Sequence, residues 1–287
     1  MKRYYYFACI IIFIFTAPIT GKEDNAVIWM HPDQPPYSIS NGYGAGLGII
    51  DCTENLLKKH LPDFTHIYQH ANSERILAMI KEKENVCSAP LIRTPEREKF
   101  IEFSIPYRVV LSNSLIILES QKKKFSQYIN TEGVISIEEI IKQGYRIGIT
   151  KGRAYRGIID EILKKQNGKP NIIIHSASQN AVGGLIKMMA AGRIDCLIAY
   201  PFEAKYVENS TGGEIKVTSI PIAAMNAYGF SNIGCSKTKK GKEIISRLNP
   251  IILKYRSTAE LMSCSERWLD TMSLKRFREY TAKEFGK

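Results

Sequence analysis

Long runs of like charge are missing from this 287-residue chain. Basic residues outnumber acidic ones by 40 to 28, a net charge of +12. Even so, the longest basic runs are Lys122-Lys123-Lys124 and Lys239-Lys240. An arm for nucleic acid clusters its charge more tightly, so nucleic-acid binding is set aside. What remains is a lysine-rich solvated surface whose mild positive field favours anionic ligands or an anionic envelope. Histidine is scarce, with five in all. His66 and His70 are four apart, but on a strand-like stretch without an acidic neighbour, which argues against a metal site. The six cysteines include no C-x-x-C pair, which removes the ordinary zinc and dithiol-redox motifs. No motif implies a cofactor. After the N-terminus no second long apolar run follows, so the mature chain reads as soluble.

The N-terminus itself is patterned. Met1-Lys2-Arg3 is basic, Tyr4 to Ile19 is uncharged and mostly apolar, and Thr20-Gly21 is small, followed by polar residues. That order is the signature of a secretory leader over residues 1–21. The apolar run is shorter than the roughly 20 residues that span a bilayer, which favours cleavage over a retained anchor. Cys9 lies inside the run and leaves with it. Cys52, Cys87, Cys196, Cys235 and Cys264 remain, an odd number that allows at most two bridges in an oxidising compartment. Buried free thiols are the competing reading.

Periodicity then alternates between 2 and 3.6. Ala26 to Met30 reads as a strand, Pro32 to Gly48 as a loop rich in proline and glycine, and Ile49 to His60 as a helix stopped by Pro62. Phe64 to Tyr68 (strand), a helix from Ser73, and Val86 to Leu91 (strand) complete one α/β unit. A second unit begins at the strand Ser114 to Leu118 and runs to about residue 222. It contains the strands Tyr145 to Thr150, Asn171 to His175 and Ile194 to Tyr200, with helices between them. Ala224 to Cys235 is a further strand run, followed by a helix from Lys240 and an amphipathic tail to Phe285. The tail is too small for a third unit and is expected to complete the first. The chain then crosses between lobes twice, near Val109 to Asn113 and near Ala224 to Ala227. Two crossings make a hinge, and a cleft between lobes is a preferred ligand site.

Several pieces of sequence carry a resemblance. Arg93-Thr94-Pro95-Glu96-Arg97-Glu98 precedes Phe103-Ser104-Ile105-Pro106-Tyr107. Pro35-Pro36-Tyr37 follows the first strand, Gly48-Ile49-Ile50-Asp51 opens the first helix, Gly192-Arg193-Ile194-Asp195 precedes a second-lobe strand, and Tyr228-Gly229-Phe230 begins the return strand. In this order they resemble the family 3 extracellular solute-binding proteins, in an orphan subgroup. The resemblance implies an α/β, two-lobed type II periplasmic binding protein fold. Each lobe is then a mostly parallel sheet flanked by helices, and two crossover strands form the hinge. Lobe 1 would hold residues 25–113 plus 226–287, and lobe 2 residues 114–225. It implies a monomeric, non-enzymatic periplasmic or secreted protein. Such a protein captures a small polar ligand, anionic or amino-acid-like, for an ABC permease.

By the same resemblance Arg97 grips a ligand carboxylate, as a guanidinium fork does bidentately. Thr94 lies beside it, and Tyr37, Arg153, Tyr155 and Tyr200 complete the candidate ligand-binding set. The plainer readings are surface pairing for Arg97 and packing for Tyr37 and Tyr155. Four positions depart from the family. Tyr200 stands where an aspartate receives the ligand ammonium, Arg153 stands where Ser or Thr is common, and Pro90 and Ile92 replace two serines. These point to an anion without an α-amino group. A bridge between Cys87 and Cys235 is expected because the fold makes their strands neighbours, with Cys235–Cys264 as the second choice. Two alternatives stay open: a free-standing sensor docking to a membrane receptor, and a dehydratase-like enzyme. The enzyme needs an acid in the cleft, and Glu203 is its nearest candidate.

Overall fold

The computed structural model describes residues 25–155, 157–165, 170–176 and 180–286. The leader segment 1–21 and Cys9 lie outside them. Among the described residues eleven strands form two sheets. The first contains β1 (Ala26–His31), β2 (Thr65–His70), β3 (Val86–Leu91), β4 (Ile101–Phe103), β5 (Arg108–Leu111) and β11 (Tyr228–Ser236). The second contains β6 (Ser114–Leu118), β7 (Ile147–Thr150), β8 (Ile172–His175), β9 (Cys196–Ala199) and β10 (Val217–Pro221). The helices are α1 (Ile49–Lys59), α2 (Ser73–Glu82), α3 (Pro95–Glu98), α4 (Lys122–Ser126), α5 (Ile137–Lys142), α6 (Ile158–Lys165), α7 (Ala181–Ala190), α8 (Pro201–Ser210), α9 (Lys239–Tyr255), α10 (Ala259–Glu266) and α11 (Thr271–Phe285).

The sheet orders are β2-β1-β3-β11-β4, with β5 on β11, and β10-β6-β9-β7-β8. Each sheet is mixed, not mostly parallel. Pairing is parallel through β2-β1-β3 and β9-β7-β8, and antiparallel wherever β11, β6 or β10 joins. The reason is topological: parallel neighbours are linked by crossover helices, while β11 returns from the second lobe and enters the first sheet from its opposite end.

Alternation along the strands sorts the cores. Val27 and Trp29 of β1 pack with α1 and α9, whereas Met30 and Ile28 pack with α2 on the other face. The second sheet is covered likewise, by α5 and α6 on one face and α7 and α8 on the other. The apolar positions of α1, Ile49, Ile50, Leu56 and Leu57, are all buried. Burying each stabilises by about 1.5–3 kcal/mol. Its N-terminus is built around Asp51, whose carboxylate accepts from Gly48 N–H, Ile39 N–H and the Ser38 hydroxyl. A Cβ on Gly48 would stand 2.5 Å from that carboxylate and 2.8 Å from Ser38 Cα, so the position admits only glycine. No helix among the described residues is long and apolar enough to cross a membrane.

A fifth cluster joins the two lobes. It gathers Ile49 of α1, Val109 and Leu111 of β5, Phe202 of α8, Trp268, and Phe277 and Phe285 of α11. The C-terminal helix thus belongs to more than the first lobe. Its N-cap, Asp270, accepts from the Ser219 hydroxyl on β10, and Ser219 also meets Ser273. Two disulfides close long loops, Cys87–Cys235 between β3 and β11 and Cys52–Cys264 between α1 and α10. Cys264 is therefore the partner of Cys52 and not of Cys235. Cys196 is a buried free thiol, its pKa pushed up by burial.

One buried pair is electrically odd. Glu54 of α1 is fully buried, with His31 Nε2 3.6 Å from its Oε2 and neither carboxylate oxygen hydrogen-bonded. Burial pushes the Glu54 pKa well above 4.5 and the His31 pKa below 6.5, so both favour their neutral forms. A raised carboxyl pKa favours the fold most at low pH, and that contribution declines as pH rises above about 4.5. His31 has the opposite sign, and its contribution is lost as pH falls.

Two outcomes are expected in thermal unfolding. Glu54→Met should raise Tm at pH 8 and remove the decline of stability between about pH 5 and 8. The double substitution Cys87→Ala/Cys235→Ala, which opens a loop of 148 residues, should cost about 2–5 kcal/mol.

Candidate functional site

A cavity of about 730 Å³ lies between the two lobes. Ser88, Leu91 and Arg97 contribute from the first lobe, Tyr155 and Tyr200 from the second, and Asn113 from the crossing between them. The hinge strands supply Arg108, Val110, Tyr228 and Ser231, and the loop after β1 supplies Gln34 and Tyr37. No Asp or Glu is among the described residues of the wall, and none of the eight undescribed internal residues is acidic. Among the described residues there is also no group of three or more His, Cys, Asp or Glu that could hold a metal ion.

The expected ligand residues separate into two groups. Arg97, Tyr37, Tyr155 and Tyr200 are on the wall. Arg97 is half-buried, and its Nη1 donates to the Ile92 carbonyl at 3.0 Å, which fixes the side chain. Tyr37 sits edge-on to Phe202, with centroids 4.8 Å apart, and Tyr200 stacks on the same ring at 5.0 Å. Burial raises the phenol pKa of Tyr37. Tyr155 is buried, and its hydroxyl accepts from Thr150 N–H at 2.8 Å. It is therefore a packing residue with one edge on the cavity.

Thr94 and Arg153 are placed otherwise than the sequence suggested, and neither lines the cavity. Thr94 caps the short helix α3, with its hydroxyl accepting from Arg97 N–H at 3.3 Å. It acts on Arg97 through the backbone and not on a ligand. Arg153 is neutralised from within the second lobe. Its Nη1 and Nη2 donate to both carboxylate oxygens of Glu203, at 3.0 and 2.7 Å, and Nη2 also reaches Asn113. Burial works against the charged guanidinium, but the Glu203 carboxylate outweighs it and raises the Arg153 pKa. Glu203 also accepts from Tyr200 N–H at 3.0 Å, closing the first turn of α8. Its carboxylate is fully engaged and off the cavity wall, so it offers no free acid to a reaction there. Asp195 pairs bidentately with Arg146, at 3.0 and 3.1 Å, consistent with a structural role.

Sequence reasoning missed Arg108. A signal existed, because Arg108 interrupts the apolar run Tyr107 to Leu111. Its guanidinium is 5.6 Å from the Tyr37 ring centroid and, among the described residues, donates only to the Ser265 hydroxyl, at 3.4 Å. Ser88, Asn113 and Ser231 were missed as well, since nothing in their spacing distinguishes a wall serine from any other.

The family model for bacterial extracellular solute-binding proteins, family 3, matches residues 26–271. The chain belongs to that family. Among solved structures, a probable amino-acid ABC transporter extracellular-binding protein from Bacillus subtilis is similar, with TM-score 0.63, 17% identity, and 86% of this chain and 98% of that chain covered. An ancestral cationic amino acid solute binding protein aligns with TM-score 0.61 at 17% identity, covering 86% of this chain and 96% of that one. A histidine kinase sensor domain with similarity to periplasmic binding proteins gives TM-score 0.54 at 14% identity, covering 87% and 97%. At these identities the likeness shows the fold alone, two sheets flanked by helices in two lobes. Among curated proteins none matches this sequence.

The Arg153–Glu203 pair gives a direct test of its structural role. Glu203→Gln leaves a buried guanidinium without its counter-charge and should cost about 2–4 kcal/mol in denaturant unfolding. Replacing both, Arg153→Met with Glu203→Leu, should recover much of that loss, because no charge is then stranded.

Proposed function

We propose that the chain is an exported binding protein. It captures a small carboxylate-bearing solute that lacks an ammonium group and delivers it to an ABC-type permease. One observation carries the reading. The cavity presents Arg97, and no Asp or Glu lines its described wall. A carboxylate finds a planar charged fork there, whereas an ammonium finds only neutral acceptors in a poorly solvated site. Tyr200, where family amino-acid receptors carry an aspartate, can hydrogen-bond a ligand but not neutralise a cation. The volume of about 730 Å³ suits a small organic molecule.

Export is supported by the leader pattern of residues 1–21, by two disulfides, and by membership of a family described as extracellular. The strand membership of the two sheets supports a division into residues 25–113 plus 226–287 and residues 114–225, with α11 as a strap between them. Capture by lobe closure also serves a second role, in which the closed form is read by a membrane receptor. Capture comes first in both.

The experiment is a thermal-unfolding screen of the mature chain against amino acids, keto acids, and mono- and dicarboxylates. A ligand at about 100 times its Kd adds roughly 2.7 kcal/mol, a shift of several degrees. Shifts are expected with carboxylates and not with lysine or arginine. Arg97→Ala should weaken the best carboxylate by about a hundredfold. A tight complex with a cationic amino acid would overturn the assignment.

A further inference from the structure

Near the interlobe cavity stand the half-buried Arg153 and the buried Arg108, and the fold treats them differently. Arg153 is matched by the bidentate Glu203 carboxylate. Arg108, 7% exposed, has no ion pair among the described residues. Its Nε and Nη2 are buried without a hydrogen-bond partner, and its Nη1 has only the long contact to Ser265. The Tyr37 and Tyr107 rings, at 5.6 and 5.9 Å, offset part of the charge through their faces. They do not satisfy the two free donors. An uncompensated buried guanidinium is costly for a fold, and a hydrophobic residue in its place is the stabilising alternative.

Arg108 belongs to the wall that also carries Arg97. Among its described residues that wall therefore holds two cationic side chains and no carboxylate. A monocarboxylate can match only one of them. An amino-acid zwitterion brings a carboxylate for one and an ammonium for which the wall has no counter-charge. A ligand with two separated anionic groups matches both. The same wall carries apolar side chains such as Leu91, Val110 and Leu111, which suit a hydrocarbon spacer.

We propose that the ligand is an organic dicarboxylate, with one carboxylate received by Arg97 and the second by Arg108. This rests on the reading of the cleft as a carboxylate site and narrows it. Arg108 is then kept at a cost to the ligand-free fold because binding requires it, the familiar trade of stability for function.

The test compares each member of the series from succinate to suberate with its monomethyl ester, by calorimetric titration of the mature chain. The ester keeps the skeleton and removes one charge. For the member that fits, the diacid should bind about ten- to a hundredfold more tightly than its ester. In Arg108→Met that difference should vanish while ester binding persists, and the Tm of the ligand-free variant should equal or exceed that of the parent. Esters binding as tightly as diacids throughout the series would overturn this inference and leave carboxylate capture intact. No binding by any diacid or ester would overturn both. Discrimination that survives in Arg108→Met, or a ligand-free Tm that falls, would return Arg108 to a structural role. The diacid–ester comparison on the unaltered chain decides the ligand class even if the variant does not fold.

Discussion

The pairing of β5 with β11 is the constraint on which the other features depend. Tyr228 to Ser231 run antiparallel to Leu111 back to Arg108, and this is where the chain passes from one sheet to the other and returns. Immediately after β5 the chain enters β6 of the second sheet, and the second half of β11 inserts between β3 and β4 of the first. Two adjacent strands thus form the hinge, and the cavity lies against it. The Cys87–Cys235 bridge fastens the far end of β11 to β3, so rotation about the hinge is confined to the few residues between the sheets.

Charge distribution gives the cleft its chemistry. The net positive surface concentrates anions generally, and on the proposed reading selection happens at the wall. Glu203 and Arg153 cancel one another within the second lobe, which removes both an acid that would serve an enzyme and a base that would serve a ligand. Arg97 and Arg108 remain. On the proposed reading, Tyr200 stands where the resemblance puts an aspartate, and that exchange has a large effect. A carboxylate at that position would offset one of the two guanidinium charges and admit zwitterions, whereas a phenol leaves the wall purely cationic.

Much of the fold was legible because strand and helix periods differ. Val86 to Leu91 and Ser114 to Leu118 were bounded to the residue, since each is a short apolar run between turn residues or charges. Helix α8 was not seen. It opens at Pro201 behind a strand and carries a mixed polar sequence with little stripe, so its helical character rests on packing against α7 and β10. Strands β4 and β5 are short and edge-like, too brief for a period to show. At the site, Arg97 and Tyr37 were legible through motif order. Arg153 was misassigned because its partner lies 50 residues away, and no local pattern announces a pairing between the start of one helix and the loop before another. Arg108 was legible as a lone charge in an apolar strand, yet only its burial and its missing partner give that charge a meaning.

The lobes also touch through more than the hinge, and this bears on how a ligand acts. Phe202 of α8 meets Tyr37, Tyr206 lies 5.6 Å from Trp268, and Asp270 at the head of α11 holds Ser219. Any opening rotation about β5 and β11 must part some of these contacts, and exposing even one large aromatic costs about 1.5–3 kcal/mol. A few such contacts bring the closed arrangement within a few kcal/mol of an open one, the range in which a ligand shifts populations. The like charges of Arg97 and Arg108 act in the other direction, because closing the empty cleft takes guanidinium groups out of water without counter-ions. Aromatic contacts outside the cavity favour closure, and unpaired charge inside it opposes closure. A ligand that neutralises the wall removes only the opposing contribution, so binding and closure are coupled through charge, and the contacts of α8 and α11 set how much ligand binding energy that coupling requires.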